Sequence, residues 1–307
     1  MEEYPDSWDD YIGQDQVKTL LRCAAESARR RSEPMDHVLI ACPTGGVGKT
    51  ALAHLVAHEI GSTLFKVAEA METGAARHII DTMHDFDVLF IDEIHRFKRV
   101  TWLHHLLQDG LITGRTGQLI PAPRITVIGA TTAPHKLDET ILGRFQYTPT
   151  LRELTDVEAL RVAQSMAKQI FLDVQLPLNG CLNGLASAAN NNPRVIKQLL
   201  RTVRDLALTD HSRWVEGYGW DLGPTLELRG LYLDGLTDQG MDYLQTLESL
   251  GGQAGHNWIA GVLGERAGLA TVERLLLSKG YIERDRGGRI LTRTGRERIL
   301  EEEGTAA

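Results

Sequence analysis

Residues Val88 to Arg96 (VLFIDEIHR) constrain this chain more than any other stretch. Val88 to Ile91 carries no polar position, so it reads as a strand buried on both faces, of the kind found inside a parallel sheet covered by helices. The run ends in adjacent carboxylates, Asp92 and Glu93. Side chains alternate along a strand, so the two point differently: one is placed to hold a metal, the other to orient a water. Upstream by 43 residues, Gly48-Lys49-Thr50 follows a second apolar strand (37–41) and precedes a helical pattern of Leu52, Leu55, Val56 and Ile60 closed by Gly61. Strand, glycine-rich turn, Lys-Thr and helix in that order grip the phosphates of a nucleoside triphosphate. In that reading Lys49 meets the β- and γ-phosphates, and the Thr50 hydroxyl ligates magnesium. Backbone N–H groups around Gly46 and Gly48 cradle the phosphate oxygens. The full pattern asks for glycine at position 43, where the chain has Pro43, so the strict motif fails.

Composition narrows the class. At 307 residues the chain exceeds one comfortable core, and two or three domains are expected. With 42% hydrophobic and 24% charged residues it reads as an ordinary globular protein. No apolar stretch approaches the ~18 residues of a membrane span, and the acidic start MEEYPDSWDD is unlike a secretory signal, so a cytoplasmic location is expected. The three cysteines, Cys23, Cys42 and Cys181, lie far apart and lack metal-ligand spacing, which argues against disulfides and zinc. A net charge of −8 disfavours indiscriminate coating of nucleic acid while allowing a local basic surface.

Along residues 1–150, candidate strands at 37–41, 63–67, 88–91 and 125–130 alternate with helical patterns, the rhythm of a parallel, helix-flanked sheet. From 151 to 225 the strand signal vanishes; 155–170, 178–189 and 193–209 show helical spacing, and 211–224 reads as a connection. Residues 226–307 give three short helices (237–250, 256–264, 268–280), two strands (281–284, 289–292) joined by Arg286-Gly287-Gly288, and a terminal helix. That order suggests a winged helix-turn-helix. Trp258 is expected in its core.

Other residues are weighed on their own merits. Thr132, ending the strand at Gly129-Ala130-Thr131-Thr132, is either an ordinary polar strand end or a holder of the attacking water or γ-phosphate. Arg144 reads as a solvated arginine, or as a residue reaching a neighbouring subunit's γ-phosphate. Asn192-Pro193-Arg194 opens a helix with Asn192 as cap and Pro193 in the first turn; Arg194 there opposes the helix dipole unless an anion lies near. Between Glu273 and Arg298 eight basic residues face four acidic ones, so Arg286 and Arg289 on the hairpin are candidate phosphate contacts.

These motifs together resemble one family, RuvB, the hexameric AAA+ ATPase that drives Holliday-junction branch migration, over most of the chain from Trp8 onward. Asp10-Tyr11-Ile12-Gly13-Gln14 looks like the family's adenine-contacting segment, which makes Tyr11 and Ile12 nucleotide contacts. Asp36 to Leu39 is similar to the strand leading into its phosphate loop. Asp87 to Arg96 resembles its acidic strand residue for residue, with Asp92 at the metal and Glu93 polarising water. Ile128 to Thr132 resembles the sensor strand, Thr132 being the γ-phosphate sensor. Arg144-Phe145 matches the trans-acting arginine, and Pro193-Arg194 the second sensor. The resemblance implies an α/β AAA+ core (1–150), a helical lid (151–225) and a winged-helix domain (226–307). It also implies ATP with Mg2+, a homo-hexamer around duplex or four-way-junction DNA, and a role in recombination. Three departures stand out. Cys42 replaces the phosphate loop's first glycine and the loop is one residue longer. Gly143 replaces an aspartate before the arginine. Segment 108–126, which in the family docks its partner RuvA, is several residues shorter, so dependence on RuvA does not carry over with the rest. Two other readings stay open: a clamp-loader-like AAA+ ATPase, and a non-hydrolysing DNA-binding scaffold with an altered phosphate loop.

Overall fold

The computed structural model describes residues 4–67, 73–97, 101–114, 117–171, 180–209, 214–215, 219–264 and 268–306. The chain divides into two compact units, Met1–Val162 with Asn192–Arg194, and Ala163–Asn191 with Val195–Ala307.

The first unit is an α/β layer structure. Its elements are α1 (Asp15–Arg31), β1 (Val38–Ala41), α2 (Lys49–Ile60), β2 (Leu64–Val67), α3 (Thr73–Ile80), β3 (Val88–Ile91), α4 (Thr101–Asp109), β4 (Leu111–Thr113), β5 (Leu119–Pro121), β6 (Thr126–Thr131) and α5 (Glu139–Leu142). Strands β1, β6, β3 and β2 lie in that order, all parallel, with Val88 opposite Thr126 and Val38 opposite Ile128. Alternation sends successive residues to opposite faces. Val38, Ile40, Phe90 and Ile128 join Leu21 of α1 and Leu52, Leu55 and Val56 of α2 in one core. Leu39, Leu89, Ile91 and Val127 join Ile80 of α3 and Leu103 and Leu106 of α4 in the other. Fully burying one such side chain contributes roughly 1.5–3 kcal/mol, which favours apolar residues along the central strands. The buried Thr126 and Thr131 at the ends of β6 have their hydroxyls bonded, to the Met35 carbonyl at 2.8 Å and from the Ala133 N–H at 3.0 Å. The four strands fall within a residue of their expected limits. Short β4 and β5 pair antiparallel, Ile112 opposite Ile120. Three-residue strands with exposed Leu119 leave too little alternation to read in sequence.

After α6 (Asp156–Ile170), the second unit holds α7 (Cys181–Ala188), most of α8 (Pro193–Leu208), β7 (Trp214–Val215), β8 (Gly219–Trp220) and α9 (Gly223–Leu228). It continues with α10 (Asp238–Ser249), β9 (Gln253–Ala254), α11 (His256–Val262), α12 (Leu269–Ser278), β10 (Ile282–Asp285), β11 (Gly288–Leu291) and α13 (Arg293–Ala306). The connection expected at 211–224 thus contains a two-residue ladder and the start of α9; its residues 211–213 and 216–218 lie outside the described set, as do 178–179 of the expected helix at 178–189. Pro224 is no obstacle to α9, because a first-turn N–H has no partner to lose. Strands β10, β11 and β9 form an antiparallel sheet, and Tyr243, Leu244, Leu247, Ile259, Leu276, Ile282, Leu291 and Ile299 make the core beneath it. The third strand, β9, was not expected, since a pair of residues carries no period. Trp258 corrects the expectation of a core position: it is 66% exposed, because Ile259 and Ala260 fill the inner side of α11.

Candidate nucleotide-binding site

The phosphate loop runs from the end of β1 to the first turn of α2. Cys42 is buried, donates its N–H to the Thr131 carbonyl at 2.9 Å, and is not among the residues with positive φ. The turn is taken by Gly46 (φ 84°) and Gly48 (φ 101°), where a side chain would be strained. The left-handed positions of the loop thus fall on glycines, and Cys42 is not asked to adopt one. Burial pushes the Cys42 thiol up, keeping it protonated and weakly reactive. A Cβ on Gly48 would sit 2.7 Å from the Tyr11 hydroxyl. Tyr11 is buried beneath the loop and donates to the Val47 carbonyl at 3.2 Å; burial, then the neighbouring Cys42, raises its phenol and keeps that donor. Ile12 is half-buried beside it, and Gln14 bonds the Arg152 backbone through both ends of its amide, 2.6 and 3.2 Å, fixing the segment. Lys49 is buried at the helix start and Thr50 is partly exposed. The hydroxyl of Thr50 and the carboxylate of Asp92 are the hard oxygen donors magnesium takes, and Lys49 with the Gly46–Gly48 turn makes an anion cradle, so these residues fit ATP with Mg2+.

Asp92 and Glu93 follow β3 in a turn, where strand alternation no longer applies, and their carboxylates bond differently. Asp92 Oδ1 accepts from the Glu93 N–H at 3.0 Å. Glu93 adopts a left-handed backbone (φ 44°), a conformation costing on the order of 1–3 kcal/mol for a non-glycine residue. Its Oε2 accepts from both the N–H and the hydroxyl of Thr132, at 3.0 and 2.8 Å. His95 adds a third contact: its Nδ1 lies 3.2 Å from the same oxygen and 2.9 Å from Thr131 Oγ1. The Glu93 carboxylate is thus suspended between the strand end and the 3-10 turn Ile94–Arg96. His95 and Thr131 escaped the sequence reading, because nothing in spacing reveals a bond across two strands.

Asn192 is the other residue whose role needed the fold. Its Oδ1 caps α8 by accepting from the Arg194 N–H at 3.0 Å, and its Nδ2 donates to the Gly45 carbonyl at 2.7 Å. A Cβ on Gly46 would stand 2.5 Å from that Oδ1 and 2.9 Å from Arg194 Cβ. The second-sensor candidate Arg194 is therefore placed directly against the phosphate loop. Glu153 completes the support by accepting from Thr44 Oγ1 at 2.8 Å. Arg144 is not brought to this cluster. It follows α5, which Asp138 caps, lies exposed, and donates to Gln108 Oε1 at 2.8 Å.

On the wing, Arg286 is exposed in the β10–β11 turn. Arg289 differs from the expectation of a phosphate contact: it turns inward onto Glu273, Nε at 3.1 Å and Nη2 at 2.7 Å. Glu273, 1% exposed, also receives Arg284, Tyr243 and His256 at 2.9, 3.0 and 2.7 Å. A buried carboxylate needs such partners, and the hairpin supplies two guanidiniums, Arg284 from β10 and Arg289 from β11.

Comparison with known proteins agrees with this geometry. The family model for the Holliday junction DNA helicase RuvB P-loop domain matches residues 4–151, and that for the RuvB C-terminal winged helix domain matches 233–300. The Holliday junction branch migration complex subunit RuvB of Kosmotoga olearia is 33% identical over 94% of this chain and 87% of its own length. Its counterpart from Wolinella succinogenes is 33% identical over 94% and 89%. The solved RuvB Holliday junction branch migration motor of Thermotoga maritima superposes with a TM-score of 0.78 at 28% identity, covering 96% of this chain and 97% of that one. A mutant of the same protein gives a TM-score of 0.80 at 29% identity over 97% and 98%. With domain models matching both ends and relatives a third identical along nearly its whole length, this chain belongs to the RuvB family.

Proposed function

We propose that this chain is an ATP-hydrolysing DNA motor that migrates the branch of four-way junctions in recombination and repair, as a homo-hexameric ring in the cytoplasm. The observation that carries the reading is the Glu93 carboxylate, held on Thr132 beside Asp92 on the sheet edge that receives the Lys49-Thr50 helix. Lys49 and the N–H groups at Gly46 and Gly48 bind phosphate, and Tyr11 and Ile12 shape the nucleotide side of the loop. Thr50 and Asp92 hold magnesium, which when bound neutralises charge on the phosphates. Glu93 orients the attacking water, Thr132 passes from Glu93 to the γ-phosphate, and Arg194 reports its presence through Asn192 and the loop. Arg144, exposed and remote from its own chain's Glu93 cluster, serves the neighbouring subunit's ATP. Residues 1–150 form the motor core, 151–225 the lid and 226–307 the DNA-binding winged helix, with Arg286 on backbone phosphate and Arg289 holding the wing in place. The short β4–β5 hairpin is the reason dependence on a RuvA partner is not carried over to this chain.

The alternative of a non-hydrolysing scaffold rested on Cys42 deforming the loop. That Cys42 has no left-handed backbone supports the motor over the scaffold. The decisive experiment is ATP hydrolysis with and without a synthetic four-way junction, for the native chain and Glu93→Gln. Losing a water-orienting carboxylate should lower turnover by about 10²-fold or more. Equal turnover in the two proteins would reject the motor.

A further inference from the structure

We propose that Trp258 is a stacking platform for an unpaired nucleobase, set beside the wing; the proposal deepens the DNA-motor reading and rests on it. The inner side of α11 is filled by Ile259 and Ala260, while Trp258 and Val262, one turn apart, stand 66% and 58% exposed on its outer side. A large aromatic held outward on a well-packed helix is a surface with a use, and its surroundings say which. The start of α11 abuts the wing turn: a Cβ on Gly288 would meet the Ala254 carbonyl oxygen at 2.3 Å and Gly255 Cα at 3.0 Å, and Arg289 pairs with Ala254 across the β11–β9 ladder. Trp258 lies in the first turn of α11, and helical side chains lean toward the helix N-terminus, the end joined to the wing ladder.

Two further facts fix its partner's chemistry. Glu273 bonds His256 in the first turn of α11 as well as Arg284 and Arg289 of the wing, so helix and wing are tied as one body. The turn itself presents exposed Arg286, with the Arg284 side chain 53% exposed beside it. Asp285, which precedes Arg286 in the chain, is turned into the hairpin, accepting from the Gly287 N–H at 2.7 Å and from Gln253 at 3.3 Å. An outward aromatic on the same helix-and-wing body as the exposed Arg286 matches nucleic acid: the cation takes a phosphate and the ring takes a base face, without reading sequence. Bases within a duplex already have both faces covered. The ligand is therefore a base left unstacked, as at a branch point or a single-stranded end.

The test uses the full chain and DNA with 2-aminopurine either next to the crossover of a four-way junction or in the middle of a linear duplex. The native protein should change the junction probe's fluorescence and leave the duplex probe unaltered. Trp258→Ala should lose the junction signal and bind junction DNA on the order of tenfold more weakly, with the same salt dependence and the same duplex affinity. Trp258→Phe should keep most of both. Arg286→Ala should weaken binding to both DNAs and flatten the salt dependence by about one ion. An unchanged junction signal in Trp258→Ala, or an equal loss on both DNAs, would overturn the platform while leaving the motor intact. A native chain that binds neither DNA would instead overturn the motor reading, and the platform with it. DNA-free ATP hydrolysis, unchanged in Trp258→Ala, checks that the variant is folded.

Discussion

At the residue scale, the candidate site is made of side chains that serve two neighbours at once. Asn192 caps α8 with its oxygen and latches the phosphate loop with its nitrogen. Those duties separate in substitution. Asn192→Ser keeps a capping hydroxyl and is too short to reach Gly45, so it should leave stability near native and raise KM for ATP several-fold. Asn192→Ala should do the same to KM and also cost about 1 kcal/mol of stability. If both variants leave KM unmoved, the latch has no functional role. Gly46 is bound to the same geometry: with φ 84° and only 2.5 Å between a new Cβ and Asn192 Oδ1, Gly46→Ala should weaken nucleotide binding more than either asparagine change. A titration with fluorescent ATP measures that order.

At the element scale, two buried ionisable groups give the two units different acid limits. His37, just ahead of β1, accepts the Val127 N–H on Nδ1 at 3.0 Å, and burial lowers its pKa to about 4 against a slight rise from Asp36. The folded state prefers the neutral ring, so its contribution is complete above the unfolded pKa near 6.5 and is lost as pH falls toward 4, worth up to about 3 kcal/mol. For Glu273, burial alone would raise the carboxyl, but bonds from Arg289, His256 and Tyr243 overturn this and hold it at about 2. Its contribution is present above about 4.5 and is lost as pH falls toward 2. Acidification should therefore loosen the first unit before the second, a sequence that hydrogen exchange at successive pH values resolves. His37→Gln should flatten the first step. Glu273→Gln leaves two guanidiniums without their shared anion and should destabilise the winged helix by roughly 3–5 kcal/mol, seen as early loss of tyrosine and tryptophan signals in urea.

At the scale of the whole molecule, Arg144 is the residue whose job one chain cannot display. It bonds Gln108 on the surface, while Glu93 is held by Thr132. If Arg144 completes a neighbour's site, Arg144→Ala and Glu93→Gln proteins, each inactive alone, should regain activity when mixed. Random assembly gives roughly a quarter of interfaces an intact Glu93 facing an intact Arg144, so about that share of native turnover is expected. No recovery on mixing would place Arg144 outside catalysis.

The four core strands, the phosphate-loop helix, the acidic pair and the helix opened by Asn192-Pro193 were legible in the sequence. Each is written in contiguous residues: an apolar run such as Val88 to Ile91, too short for a helix and bounded by acids, marks a buried strand, and Gly-Lys-Thr between a strand and a helical stripe marks a phosphate loop. The order of the winged helix was legible for the same reason, its three helices and hairpin each carrying a local period. Tertiary structure alone decided the rest. The bonds from Thr132 and His95 to Glu93, the Asn192 latch on Gly45, the inward turn of Arg289 and the outward one of Trp258 all depend on elements distant in the chain. Periodicity says which side of a helix or strand is apolar; it does not say which neighbour that side meets, and a side chain's chemistry is set by that neighbour.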